Sequence, residues 1–199
     1  MTGDTFLIGR DGSYSTGIAR RQEILDRAVE VFAERGASGT SLRRIADAIG
    51  VSHGALSHYF DSREQLLVAV YEHAERKRTE SGAVTADSPA VETIVIAASE
   101  NARVAGLVQL YASLVATALE DDRNASKAFF TDRFESVRND LTARIRRDQD
   151  AGLVRRDVDA AAIAALLVAA SDGMQVQWLL DPSIEFDATL AVFSTLLQP

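Results

Sequence analysis

From Ile18 onward the chain alternates apolar and polar residues with a helical period almost everywhere. Ile24, Leu25, Ala28, Val31 and Phe32 recur three and four apart, and Gly36 then offers a stop, so a first helix is predicted from about Ile18. A second is predicted over Leu42–Ile49, with Thr40 and Ser41 as candidate caps, and a short third over about Ser52–Tyr59. The fourth opens at Ser62, with Gln65 three residues on in the manner of a capping box, and carries Leu66, Leu67, Val70, Tyr71 and Ala74 on one side. Residues 81–88 read as a linker, after which Pro89 suits a first helical turn. Further helices are predicted near 89–101, 103–120, 125–150, 158–180 and 185–197, with breaks at Asp121-Asp122, Gly152 and Asp181-Pro182. Strand-like alternation is absent, so the fold class is all-α. Residues 1–17, rich in Gly, Ser and Thr and without a period, read as a flexible arm.

Composition narrows the chemistry. With 199 residues, 47% of them hydrophobic, the chain is long enough for a small head and a larger body. It has no Cys, which removes disulfides and thiolate metal sites and fits a reducing cytoplasm. The Phe6-Leu7-Ile8 patch is too short for a secretory signal, and the eleven-residue apolar run Ala160–Ala170 falls short of the roughly 20 residues of a membrane helix. No membrane partner is therefore expected. Net charge is −8, which argues against a non-specific nucleic-acid coater. The charge is uneven: residues 18–60 hold six Arg against five acids, whereas 90–199 hold ten cations against sixteen acids. A reader of DNA with a few well-placed cations stays open.

The stretch from Thr40 to Phe60, TSLRRIADAIGVSHGALSHYF, has the form of two short helices joined by a tight turn. Ala46 is small where the helices must cross, and Gly50 suits the positive φ of the turn. Ile45, Ile49, Val51 and Leu56 take inward positions. The other face of the third helix is then His53, Gly54, Ala55, Ser57 and His58, small or polar and without an acid, as a helix entering a major groove requires. Gly50-Val51-Ser52-His53-Gly54 also matches the G-x-S-x-G elbow of hydrolases, but that elbow needs a strand before the Ser, and the segment before it has a helical period. His53 and His58 are five apart, a poor spacing for one metal, and Glu120-Asp121-Asp122 reads as a solvated helix end, so neither metal nor cofactor is expected.

Taken together, Arg21-Gln22-Glu23-Ile24-Leu25, Val31-Phe32-Ala33-Glu34-Arg35-Gly36, Ser41-Leu42-Arg43-Arg44-Ile45-Ala46, Gly50-Val51-Ser52, Leu56, Phe60 and Ser62-Arg63-Glu64-Gln65-Leu66 resemble the tetracycline-repressor (TetR) family of transcriptional regulators. The resemblance covers about residues 18–67, and the rest matches only in layout. It implies a helix-turn-helix head at 18–66 and a ligand-binding and dimerisation domain at 67–199, in a homodimer that releases a palindromic operator when a small molecule enters the body. On that pattern Thr40, Ser41, Arg43, Arg44, Ser52, His53, Gly54, Ala55, Ser57, His58, Tyr59 and Arg63 are the candidate DNA contacts. An aromatic residue usual after Leu56 is Ser57 here, which moves a phosphate contact toward Tyr59, and Arg63 stands where Lys is common.

In the body, Tyr71, Asn101, Gln109, Tyr111, Phe134, Met174 and Trp178 are candidates for a pocket that takes an apolar or amphipathic effector, with Gln175 a further polar anchor. The all-round apolar helix at 158–180 and the last helix suit a subunit interface, with Ile163, Leu166, Leu167, Ala170, Gly173, Phe186, Leu190, Phe193 and Leu197 as its candidates; a purely intramolecular core competes for the same residues. Three functions follow: a ligand-responsive repressor, a DNA-binding regulator without a small-molecule effector, and a helical enzyme with a vestigial head. An open cavity in the body separates the first from the second. The third needs convergent ionisable groups, and none stands out at helical spacing.

Overall fold

The computed structural model describes residues 11–35, 41–120 and 125–199. These form ten helices: α1 (Asp11–Arg35), α2 (Leu42–Ile49), α3 (His53–Tyr59), α4 (Arg63–Glu80), α5 (Ala90–Arg103), α6 (Leu107–Glu120), α7 (Ala125–Asp150), α8 (Ala160–Leu180), α9 (Phe186–Ala191) and α10 (Phe193–Leu196). The all-helical expectation holds. Helix α1 begins at Asp11, so residues 11–17 continue it rather than belonging to an arm. The expected last helix is interrupted at Val192. Gly36, Thr40 and the Asp121-Asp122 break lie outside the described residues.

Each short helix of the head is fixed by its own neighbours in sequence. The hydroxyl oxygens of Ser41, Ser52 and Ser62 accept from the backbone N–H of Arg44, Ala55 and Gln65, at 3.4, 3.1 and 3.0 Å. Gln65 reaches back, its Oε1 accepting from Asp61 N–H at 2.6 Å. Gly50 ends α2 at φ +72°, a conformation other residues adopt with strain. Ile45, Ala46, Ile49, Leu56 and Phe60 are buried against Ile24, Leu25, Ala28 and Phe32 of α1.

That cluster does not stop at the head. It runs along α4 through Leu66, Leu67, Val70 and Tyr71 to Tyr111 and Phe130, so α4 belongs to both halves. A second cluster joins Val91 and Ile94 of α5, Leu141 and Ile145 of α7, and Ile163, Leu167 and Val168 of α8. Helices α5 and α6 meet at 104° across a turn in which Gly106 has φ +75°.

Helix α8 has 21 residues and is apolar enough, by length and composition, to cross a bilayer, longer than its eleven-residue apolar run suggested. Its inner face is nevertheless packed in the core, and its Asp172 bonds Tyr111. Nor is it buried all round. Ile163, Leu167, Ser171 and Gln175 face inward, while Leu166, Val176 and Leu180 are exposed.

Candidate DNA-reading surface and body cavity

Leu56 is the only residue of α3 in the buried class, and it pins this helix to the head. The opposite surface presents exposed His53, Gly54, Ser57 and His58, with Ala55 and Tyr59 half-buried. A Cβ on Gly54 would meet nothing within 4 Å, so the backbone there is open to a partner. His58 and Tyr59 stack edge to face, with ring centroids 5.1 Å apart. Arg43 and Arg44 are exposed on α2, and Arg63 is half-buried in the first turn of α4. Ser41 and Ser52 stand at this surface, each with its oxygen committed to a cap. The hydrolase reading fails on geometry: Ser52 caps a helix, and no strand exists among the described residues.

Head and body are tied at His73, which is fully buried in α4. Its Nδ1 lies 2.7 Å from Gln22 Nε2 and 3.1 Å from Arg76 Nη2, both donors. The ring proton is thereby placed on Nε2, which donates to Asp26 Oδ1 at 2.8 Å. Lys77 also binds Asp26. Hydrogen bonds from Lys77 and then His73 hold the Asp26 carboxyl below its ordinary range.

The body holds a partly open cavity of about 620 Å³ between α4, α5, α6, α7, α8 and the linker. Of the residues expected at a pocket, Tyr71, Asn101, Tyr111 and Gln175 line it. The others point elsewhere. Gln109 is exposed on α6, and Phe134 stacks on Phe130. Met174 and Trp178 pack around Phe186 under α9, with the indole 5.7 Å from the Phe186 ring.

The cavity's charged groups went unanticipated. Arg133 binds the Glu75 carboxylate through Nε (3.0 and 3.1 Å) and Nη2 (2.7 Å), with its guanidinium over the Tyr71 and Tyr111 rings at 5.5 and 5.3 Å. Tyr71 Oη donates to Glu75 Oε1 at 3.1 Å, and Tyr111 Oη to Asp172 Oδ1 at 2.8 Å. Burial pushes both phenols well above their ordinary range. It also pushes the Asp172 carboxyl up, against the opposing pull of the Tyr111 bond and the Arg133 charge.

The linker forms the cavity's outer wall with Val84, Thr85 and Ala86. It is held by its backbone. Arg144 Nη1 donates to the carbonyls of Thr85 (2.7 Å) and Ser88 (2.9 Å), and Arg147 to those of Ala86 (2.7 Å) and Ser88 (3.2 Å).

At the expected interface, Ile163, Leu167, Phe186, Leu190 and Leu197 are consumed by the chain's own core, while Ala170 and Phe193 are half-buried. Leu166 and Gly173 are left outward. With Ala162, Ala165, Ala169, Val176 and Leu180 they make an exposed stripe, flanked by exposed Val192 and Leu196. The intramolecular alternative thus claims the inner half of the set. One residue's rotation on a helix separates Leu166 from Leu167, which composition alone does not resolve.

Residues 24–70 match the family described as bacterial regulatory proteins, tetR family. The HTH-type transcriptional repressor KstR2 of Rhodococcus jostii is 52% identical over 48 residues, 24% of this chain and 24% of its own length. The HTH-type transcriptional repressor Rv1474c of Mycobacterium tuberculosis is 29% identical over 160 residues, 78% of this chain and 80% of the relative. A transcriptional regulator from Saccharomonospora viridis, solved in complex with choline, superposes with a TM-score of 0.67 at 21% identity over 88% of this chain and 95% of that one. The chain thus spans about a quarter of the length of KstR2, while the likeness of fold covers most of the chain. The capped head carries the tetR-family match at residues 24–70, and the described body shares its fold with a solved regulator.

Proposed function

We propose that this protein is a homodimeric repressor of transcription that binds a palindromic operator through α3 and releases it when a small molecule occupies the body cavity. The observation that carries the DNA reading is the surface of α3: anchored by Leu56 beneath, free of acids above, with Arg43 and Arg44 exposed beside it. Small residues admit close backbone approach, imidazoles and hydroxyls suit base edges and phosphates, and guanidiniums suit phosphates. Ser52, His53, Gly54, Ala55, Ser57, His58 and Tyr59 would face the groove. Ser41, Arg43, Arg44 and Arg63 would sit toward the backbone. The relatives named as repressors support the sign of regulation.

Two further features support the rest. The stripe from Ala162 to Leu180 repeats every three or four residues and is rich in Ala and Gly, so two copies can approach closely and form a four-helix bundle with the chain's last helices. The 620 Å³ cavity favours an effector-responsive regulator over one without a ligand, since it lies in the ordinary range for small-molecule sites. A choline complex in a protein of like fold is consistent with that use.

Selection of random duplex DNA by the purified protein tests the reading. The expected product is an inverted repeat whose half-site centres are about 34 Å apart or a multiple of that, because a two-fold dimer presents two symmetric reading helices. Enrichment of no sequence, or of a single unrepeated site, would overturn it.

A further inference from the structure

The cavity holds three guanidiniums, and each is already engaged. Arg133 is matched by the Glu75 carboxylate, Arg78 donates to Asn101 Oδ1 at 3.1 Å, and Arg144 binds Asp140 and the linker carbonyls. Asp172 differs. It is the only charged residue of α8, it lines the cavity, and its one hydrogen bond among the described residues comes from Tyr111, a neutral donor, at Oδ1. No cation forms a salt bridge with it among the described residues, and the Arg133 charge that reaches it is already matched by Glu75. A carboxylate withdrawn from water without a cation is costly, and an apolar helix gains nothing structural by carrying one. Glu100 and Asp140 also line the cavity, and Asp140 is bound to Arg144. Glu75 and Asp140 already offset the charge of Arg133 and Arg144, which weakens the draw on an anionic ligand, whereas Asp172 has no salt-bridge partner among the described residues and can take a cation.

We propose that Asp172 anchors the protonated amine of an amphipathic effector, whose apolar body lies along Ile94, Val137, Leu141 and Val168. The ammonium donates to Asp172, with Tyr111 holding the carboxylate in place. Glu75 offsets the charge of Arg133, which would otherwise repel the head group. The apolar wall comes from α5, α7 and α8, so the ligand touches three helices of the body at once. The inference rests on the effector-responsive reading above and names the chemical class of that effector.

The test uses the full-length dimer and three probes of one chain length: octylammonium, octanoate and 1-octanol. Binding is measured by calorimetry and DNA release by gel shift on the selected operator. Octylammonium is expected to bind about tenfold or more tightly than octanoate. Asp172→Asn should weaken octylammonium by about tenfold or more and leave 1-octanol within about twofold. Tyr111→Phe keeps the carboxylate and should retain preference for the amine. A circular-dichroism melt checks that both variants fold. Tighter binding of octanoate, equal binding of octylammonium to the Asp172→Asn variant, or no binding of octylammonium to the folded protein each overturns the proposal. If octylammonium binds through Asp172 yet leaves the operator complex intact, the anchor stands and the effector-responsive reading falls. If the operator is bound but octylammonium is not, the anchor alone falls.

Discussion

In the head, polar side chains are spent on the nearest backbone: Ser41, Ser52 and Ser62 each serve an N–H three residues ahead, and exposed Arg43 and Arg44 point away from the core. In the body the arrangement reverses. Arg133 and Glu75 meet across 58 residues of sequence, Tyr111 and Asp172 across 61, and both pairs border an internal space. The head is thus a surface presented by short-range chemistry. The body is an interior assembled by long-range chemistry. A surface of the first kind changes what it reads by single outward substitutions without refolding. An interior of the second kind couples whatever enters it to several helices at once.

Substitutions at five positions probe this contrast. The largest effect should come from neighbouring positions on α8. Leu167 is fully buried, so Leu167→Arg places an unpaired charge in the core and is expected to prevent folding, a cost of about several kcal/mol. Leu166 is 60% exposed, so Leu166→Arg should fold and run as a monomer by light scattering. A persistent dimer in that variant moves the interface elsewhere. Next, Ala55→Glu drives a carboxylate toward phosphates and base edges. Operator affinity should fall by about a hundredfold or more, with dimer and cavity unaffected. Unchanged binding would remove α3 from the DNA.

The third test turns on Asp172. Burial raises its carboxyl in the folded state, so between the unfolded and the raised folded value the native protein binds more proton than the unfolded chain. Its burial therefore costs stability at neutral pH, and the cost is relieved as pH falls through the raised folded value. Asp172→Asn should melt about 1–3 °C higher at pH 7, with the gain shrinking in acid. A lower melting point at pH 7 would make Asp172 a structural group. The smallest effect belongs to Gly54→Ala. The site is helical with open space around it, so stability should rise by about 0.5–1 kcal/mol while operator binding weakens. Unweakened binding would place the α3 backbone away from the groove.

The same contrast explains what the sequence disclosed. The α2 and α3 boundaries, the turn at Gly50 and the cap at Ser62 were legible because each is decided within about four residues. The cavity was legible as a list of aromatics, amides and a Met, of which Tyr71, Tyr111, Asn101 and Gln175 proved to line it. Phe134 was chosen for its ring, yet the cavity takes its neighbour Arg133, about 100° round the same helix. Two signals were present. Asp172 is a single acid in an otherwise uncharged 21-residue helix, and Arg133, Val137, Asp140, Leu141 and Arg144 form a mixed stripe on α7 that runs from buried Leu141 to exposed Asp140.

The linker has a consequence for how such a protein diversifies. Arg144 and Arg147 grip carbonyl oxygens of Thr85, Ala86 and Ser88, groups that every amino acid supplies. Apart from the Ser88 hydroxyl, which accepts from Thr85 N–H, the path of the strap owes little to the side chains it carries, while those of Val84, Thr85 and Ala86 border the cavity. Mutations at these three positions can reshape the rim one residue at a time and leave the scaffold in place. On the proposed reading, new ligand selectivities can accumulate there gradually while α2 and α3 stay unchanged.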